Sequence, residues 1–268
     1  MIPDSDTVQE AIWGRLVSAL LAAVIFVAPA ACTAEGVADQ LPLLRRIECP
    51  ASPPVDFAAL DLSATGRAQA LFDERLQMIR ALLTRTAVCG GQARVVGFSS
   101  SQAATHLLYD GELRPEGATE NARLRRVPKL VEAAMAVIEA ELEEALATLP
   151  ANGTDVLSQL RLATEFHALV DPDRPLRVLV LSDGLQTVGI VLDRPDLTVE
   201  SAHTLASAAR LPEGLAGAQV MFGGIGKVSG PPAPTAFVEG LKTFYQEACE
   251  QAEARCLVAT DLTPEVIP

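Results

Sequence analysis

The sequence predicts a three-layer α/β fold: a mainly parallel central sheet with one antiparallel edge strand, and helices on both faces. Two observations carry the prediction. Short, almost wholly apolar runs alternate with longer stretches of helical period, as strands buried on both faces alternate with the crossover helices that join them. Three of those runs empty into polar turns, Asp61 to Gly66, Ser182 to Gly184 and Gly223 to Lys227, and ligands in open α/β sheets sit outside such carboxyl ends. A chain of 268 residues has room for one such domain with a sizeable core.

Residues 1–32 read as a signal peptide or N-terminal membrane anchor. The span 16–31 carries no charge, and polar sequence returns after Cys32, which suits a signal-peptide core better than a full membrane span. A helix of the folded domain is the alternative, disfavoured because the segment lacks a polar face. Ala28-Pro-Ala30 offers the small residues a signal peptidase reads, and Ala30-Ala-Cys32 offers a lipoprotein-type site with Pro29 where an aliphatic residue is usual. The flank is atypical, because Asp4, Asp6 and Glu10 outnumber Arg15 where export signals begin basic. Residues 33–54, with Gly36, Pro42, Pro50, Pro53 and Pro54 and no sustained period, read as a linker. The domain is expected over 55–262, with 263–268 as a C-terminal tail.

Within the domain, Val55 to Asp61 is the opening strand. Phe72, Leu76, Ile79 and Leu83 then recur at helical spacing, with Asp73, Glu74, Arg75, Gln77 and Arg80 between them, and the pattern stops by Gly90-Gly91. Ala93–Phe98 and His106–Tyr109 read as a short hairpin, the second strand bounded by an Asp110-Gly111 turn. From about Ala122 to Leu149 a long helical stretch places Leu130, Ala134, Val137, Ile138, Leu142 and Leu146 against a solvated run of glutamates, with Pro128 near its first turn or dividing it. Ala151 to Asp155 is a loop carrying a helix cap for the helix through Leu157, Leu160, Leu162 and Phe166. Leu176–Leu181 reads as a fully buried strand, Ser201–Arg210 as a helix and Ala218–Phe222 as a strand. The loop Gly223 to Lys227 lacks the Gly at Met221 and the hydroxyl at Val228 that a phosphate cradle requires. Phe237, Leu241, Phe244 and Ala248 mark the last helix, and Cys256–Thr260 the last strand.

With 34 acidic and 21 basic residues the net charge is -13, so the chain repels nucleic-acid phosphates and anionic lipid surfaces. After Cys32, four cysteines remain, an even number suited to an oxidising compartment. Cys49 precedes the first strand and Cys89 the second, which places them at the same edge of a parallel sheet. Cys249 and Cys256 flank the last helix–strand junction. Those two pairings are expected, with four free buried thiols as the alternative if the chain faces the cytoplasm. No Cys-x-x-Cys or His cluster points to zinc or thiol chemistry.

The chemistry concentrates in Asp61-x-Ser63-x-Thr65 after the first strand, joined by Thr154 in the loop before the middle helix and Asp183 after the fourth strand. All are hard oxygen donors, the type a Mg²⁺-class ion takes. Ser99-Ser-Ser101 does not repeat the pattern, because Gly97 stands where its Asp would be needed. Taken singly, Ser63, Thr65 and Thr154 also suit helix caps, and Asp183-Gly184 suits a turn. In this order the five residues resemble the metal-ion-dependent adhesion site of the von Willebrand factor type A (vWA) domain, with Thr65 in place of the usual Ser. The resemblance covers about residues 55–262 and implies the Rossmann-like vWA fold, bacterial envelope type. It further implies a metal held by Asp61, Ser63, Thr65, Thr154 and Asp183, with Mg²⁺ expected and Mn²⁺ or Ca²⁺ as alternatives.

The function expected from the resemblance is non-enzymatic: an exported or membrane-tethered module of the cell envelope that binds a protein partner donating an acidic residue to the metal. Two alternatives follow from the residues. A metal-dependent phosphohydrolase would use Asp61 as nucleophile, but the Asp-x-Asp-x-Thr pattern needs a second acid where Ser63 stands. An envelope scaffold with a vacant site is the other. A nucleotide-binding Rossmann domain is weaker, since Gly-x-Gly-x-x-Gly is missing after the first strand.

Overall fold

The computed structural model describes residues 40–67, 69–228, 231–264 and 267. The expected signal or anchor over 1–32 lies outside the described residues; among those described, no helix is long and apolar enough to cross a membrane. The strands are β1 (Val55–Asp61), β2 (Gln92–Phe98), β3 (Thr105–Glu112), β4 (Leu176–Leu181), β5 (Gln219–Gly223) and β6 (Arg255–Ala259). The helices that follow 67 are α1 (Gln69–Cys89), α2 (Glu120–Leu124), α3 (Val127–Thr148), α4 (Val156–Val170), α5 (Val199–Ala208) and α6 (Thr235–Gln251).

The sheet runs in the order β3-β2-β1-β4-β5-β6. All neighbours are parallel except β2 and β3, so this is the expected three-layer α/β fold with one antiparallel edge. β1 and β4 are buried along their whole length, and their side chains alternate between two cores with the period of two that a pleated strand imposes. Ala58, Leu60, Leu179 and Leu181 join one core with α1 and α3. Val55, Phe57, Ala59, Val178 and Val180 join the other with α4, α5 and α6. The carboxyl ends of β1 and β4 therefore lie side by side at the middle of the sheet, where the chain leaves to opposite faces.

Several local expectations change. Asp110-Gly111 does not turn; both residues stay in β3, paired with Arg94 and Ala93. The Arg94 guanidinium donates to the Asp110 carboxylate across the strands, with Nε 3.0 Å away. The hairpin instead closes at 99–104, where the Ser99 amide donates to the Ala104 carbonyl at 3.0 Å. The long helical stretch is divided into α2 and α3, with Pro128 in the first turn of α3, where its missing amide costs nothing. Asp155 provides the helix cap, accepting from the Ser158 amide at 3.2 Å.

From residue 40 onward, the stretch expected as a linker packs on the domain. Residues 40–44 are helical, Leu41 and Leu44 are buried in the α1/α3 core, and Cys49 is bonded to Cys89. The apolar spacing of Leu41 and Leu44 lets one helical turn bury both, a signal too short to stand out among the prolines. Ile267, in the expected tail, is also buried in that core. The second expected disulfide, Cys249–Cys256, is present as well.

Candidate metal centre

Asp61 ends the central strand, so its side chain enters the mouth of the sheet rather than a core. Its carboxylate accepts from the Ser63 amide at 2.8 Å through Oδ1 and from the Ser182 hydroxyl at 2.6 Å through Oδ2. The first bond folds the chain into an Asx-type turn; the second joins the ends of β1 and β4. The turn tightens where the Gly66 amide donates to the Ser63 carbonyl at 3.0 Å, and it leaves the Ser63 and Thr65 hydroxyls 3.3 Å apart.

Asp183 follows β4 by two residues. Its Oδ1 accepts from the Leu185 amide at 3.0 Å and its carbonyl from the Gly226 amide at 2.8 Å. Gly184 takes φ +81°, and a Cβ there would lie 2.9 Å from Ile225, so the turn requires glycine. Thr154 is tied to the same region twice. Its amide donates to the Thr187 hydroxyl at 2.8 Å, and its carbonyl accepts from the Thr187 amide at 3.0 Å. Its loop also reaches the β1 loop, where the Ala64 amide donates to the Ala151 carbonyl at 2.8 Å. The three loops carrying the five expected donors therefore meet at one end of the sheet.

Burial dominates the electrostatics of the site. Asp61 and Asp183 are both fully buried, with Ser63 and Thr154 nearly so. Burial, and then the charge of Asp183, push the Asp61 carboxyl above the ordinary carboxylate range, against the Ser182 and Ser63 hydrogen bonds. Asp183 Oδ2 has no hydrogen-bond partner among the described residues. Below the mouth lies Arg75, 1% exposed, whose Nη1 donates to the Gly66 carbonyl at 2.9 Å while Nη2 has no partner among the described residues. Burial lowers its proton affinity, and the charges of Asp61, Asp183 and Glu74 oppose that. Two carboxylates facing one guanidinium leave a deficit of one positive charge when both are ionised.

These residues fit a hard divalent cation. The donor set is oxygen only, an orphaned carboxylate oxygen sits in a buried site where such atoms are costly, and two hydroxyls stand 3.3 Å apart in the loop after β1. Hydroxyl and carboxylate donors of this kind suit Mg²⁺, Mn²⁺ or Ca²⁺ better than softer ions.

The sequence reading missed four supporting residues. Arg75 looked like part of a solvated face, although its i+3 position after Phe72 places it on the buried stripe. Ser182, a turn residue by its sequence context, donates its hydroxyl to Asp61. Gln186 accepts from the Val156 amide at 2.7 Å and donates to the Val188 carbonyl at 2.6 Å, pinning α4 to the loop after β4. Tyr245 donates to the Gly184 carbonyl at 2.9 Å. Burial, and then Asp183, Asp61 and Asp155, hold its phenol well above its ordinary range.

No protein-family model and no curated protein sequence matches the chain. Among solved structures it is similar to the conserved hypothetical protein BatB from Bacteroides thetaiotaomicron, at 17% identity and TM-score 0.43, over 79% of this chain and 92% of that one. The pilus adhesin SpaC from Lactobacillus rhamnosus GG aligns at 11% identity and TM-score 0.39, over 81% of this chain and 29% of that one. Proximal thread matrix protein 1 from the mussel byssus, with a zinc-occupied MIDAS motif, aligns at 14% identity and TM-score 0.35, over 77% and 48%. At these identities and scores, the reading of the site rests on its own geometry.

Proposed function

We propose that the chain is an exported or membrane-tethered vWA-type module that binds a protein partner through a divalent cation, Mg²⁺ by preference, held by Asp61, Ser63, Thr65, Thr154 and Asp183. The observation that carries this reading is the unpartnered Asp183 Oδ2 in a fully buried site shared with Asp61. Asp61 and Asp183 would supply the charge, and the hydroxyls of Ser63, Thr65 and Thr154 neutral donors. A bound ion would supply an electrophilic coordination position for an acidic side chain of the partner. Arg75 supports that role, because its positive charge beneath the carboxylates leaves the loaded centre short of negative charge. The net charge of -13 disfavours nonspecific anions at the same surface. Two disulfides suit an exported protein. The reading is non-enzymatic, as the resemblance of the five donors to an adhesion site implies.

The test is a pull-down from envelope extract in Mg²⁺, comparing the wild type with Asp61→Ala and with added chelator. Capture of a partner by the wild type, lost in both controls, is expected. Capture that survives both removes the proposal.

A further inference from the structure

A second group of metal-type donors stands away from the sheet mouth. His106 lies on β3, the antiparallel edge strand, opposite Gly97 of β2. Glu141 and Glu144 are one turn apart on α3, which packs against β3. His106 Nε2 and Glu141 Oε2 are 3.2 Å apart, and one ligand atom from each of the three residues lies within 4.8 Å of the others.

The scaffold under this group is set in the core. Leu142 and Ala145, the residues after the two glutamates, are buried in the same core as Leu108, two positions after His106. Core packing on both sides therefore fixes how far the helix stands from the strand. The side chains are at the rim, with His106 22% and Glu141 44% exposed, so an ion has access. Among the described residues neither glutamate pairs with an arginine or lysine. Two adjacent carboxylates thus face one imidazole, an arrangement short of positive charge.

We propose that His106, Glu141 and Glu144 form a second cation site, selective for a borderline ion of the zinc type and distinct from the oxygen-only centre at Asp61. One nitrogen and two carboxylate donors with an open fourth position match a three-ligand zinc site. Zinc bonds of about 2.0–2.2 Å place tetrahedral donors roughly 3.3–3.6 Å apart, so His106 and Glu141, at 3.2 Å, stand near the required separation already. Glu144, which is exposed, closes the remainder by a rotamer change. Imidazole favours zinc over magnesium, which keeps the two centres chemically separate. A bound ion would clip the edge strand to α3.

The test is calorimetric titration of the chelator-stripped full chain with zinc chloride in excess Mg²⁺, which occupies oxygen-only donors. Wild type and Asp61→Ala are expected to take up zinc alike, while His106→Ala binds about 100-fold more weakly, in line with the loss of a ligand in a site where even supporting partners are worth 10–100-fold. Glu144→Gln, at an exposed position that leaves the core untouched, weakens binding in the same direction. Zinc uptake by His106→Ala and Glu144→Gln equal to that of the wild type, or none by the wild type, overturns the proposal.

Discussion

Replacing Arg75 by methionine keeps most of the buried volume and removes one charge. In the metal-free protein that charge lies close enough to be attracted by two fully buried carboxylates, Asp61 and Asp183, although no direct ion pair joins them among the described residues. Removing one partner of a buried ionic group costs about 3–5 kcal/mol, because the remaining charge is left uncompensated. For a domain of this size each kcal/mol moves the melting temperature by roughly 2–4 °C, so in chelator the variant should melt roughly 6–20 °C below the wild type. Magnesium changes the comparison. A ligand at about 100 times its dissociation constant adds about 2.7 kcal/mol to the stability of the folded state. The variant, freed of the guanidinium's repulsion toward the ion, should gain more than the wild type does. Differential scanning calorimetry with and without Mg²⁺ reads both effects. A loss in chelator below about 1 kcal/mol would show that Arg75 is not the counter-charge. A gap that magnesium fails to narrow would show that no ion faces these carboxylates.

Two further outcomes are expected. The chain has two tyrosines. Burial first, and then the nearby carboxylates, raise the phenol of Tyr245 well above 10.0, so the folded state holds this proton more tightly than the unfolded chain. The associated stability is complete below pH 10 and is lost as pH rises above it; in an alkaline titration followed by near-ultraviolet absorbance and circular dichroism, Tyr245 should ionise only with unfolding, whereas half-buried Tyr109, raised less by burial and Asp110, ionises earlier. Serine at Cys49 and Cys89, which close a loop of 40 residues, should cost about 4 kcal/mol on the chain-entropy model, against about 2 kcal/mol for Cys249 and Cys256 across 7 residues; urea melts that reverse this order would contradict it.

Much of this protein was legible locally. Runs such as Leu176–Leu181 declare a doubly buried strand by composition alone, and the stripe Phe72, Leu76, Ile79, Leu83 declares a helix by its period. The donor loops were readable because a strand end followed by Asp-x-Ser-x-Thr turns back on itself through an Asx contact, a property of neighbouring residues. Asp110-Gly111 misled because turn chemistry is a local preference, and the cross-strand pair Asp110–Arg94 overrode it. The helical turn at 40–44 was missed because two leucines among prolines carry too little periodicity.

Short-range pattern was enough for the alternation of strands and helices, the hairpin at the sheet edge and the residue types at the mouth of the sheet, and it favoured the two disulfide pairings without excluding free thiols. The closed fold was needed to place Arg75 beneath two buried aspartates, to leave an Asp183 oxygen without a partner among the described residues, to bridge β1 and β4 through Ser182, and to bring His106 to Glu141 and Glu144. Those relations join residues tens to more than a hundred positions apart, and their energies depend on burial and on the loss of water around charges, which exist only once the layers have closed.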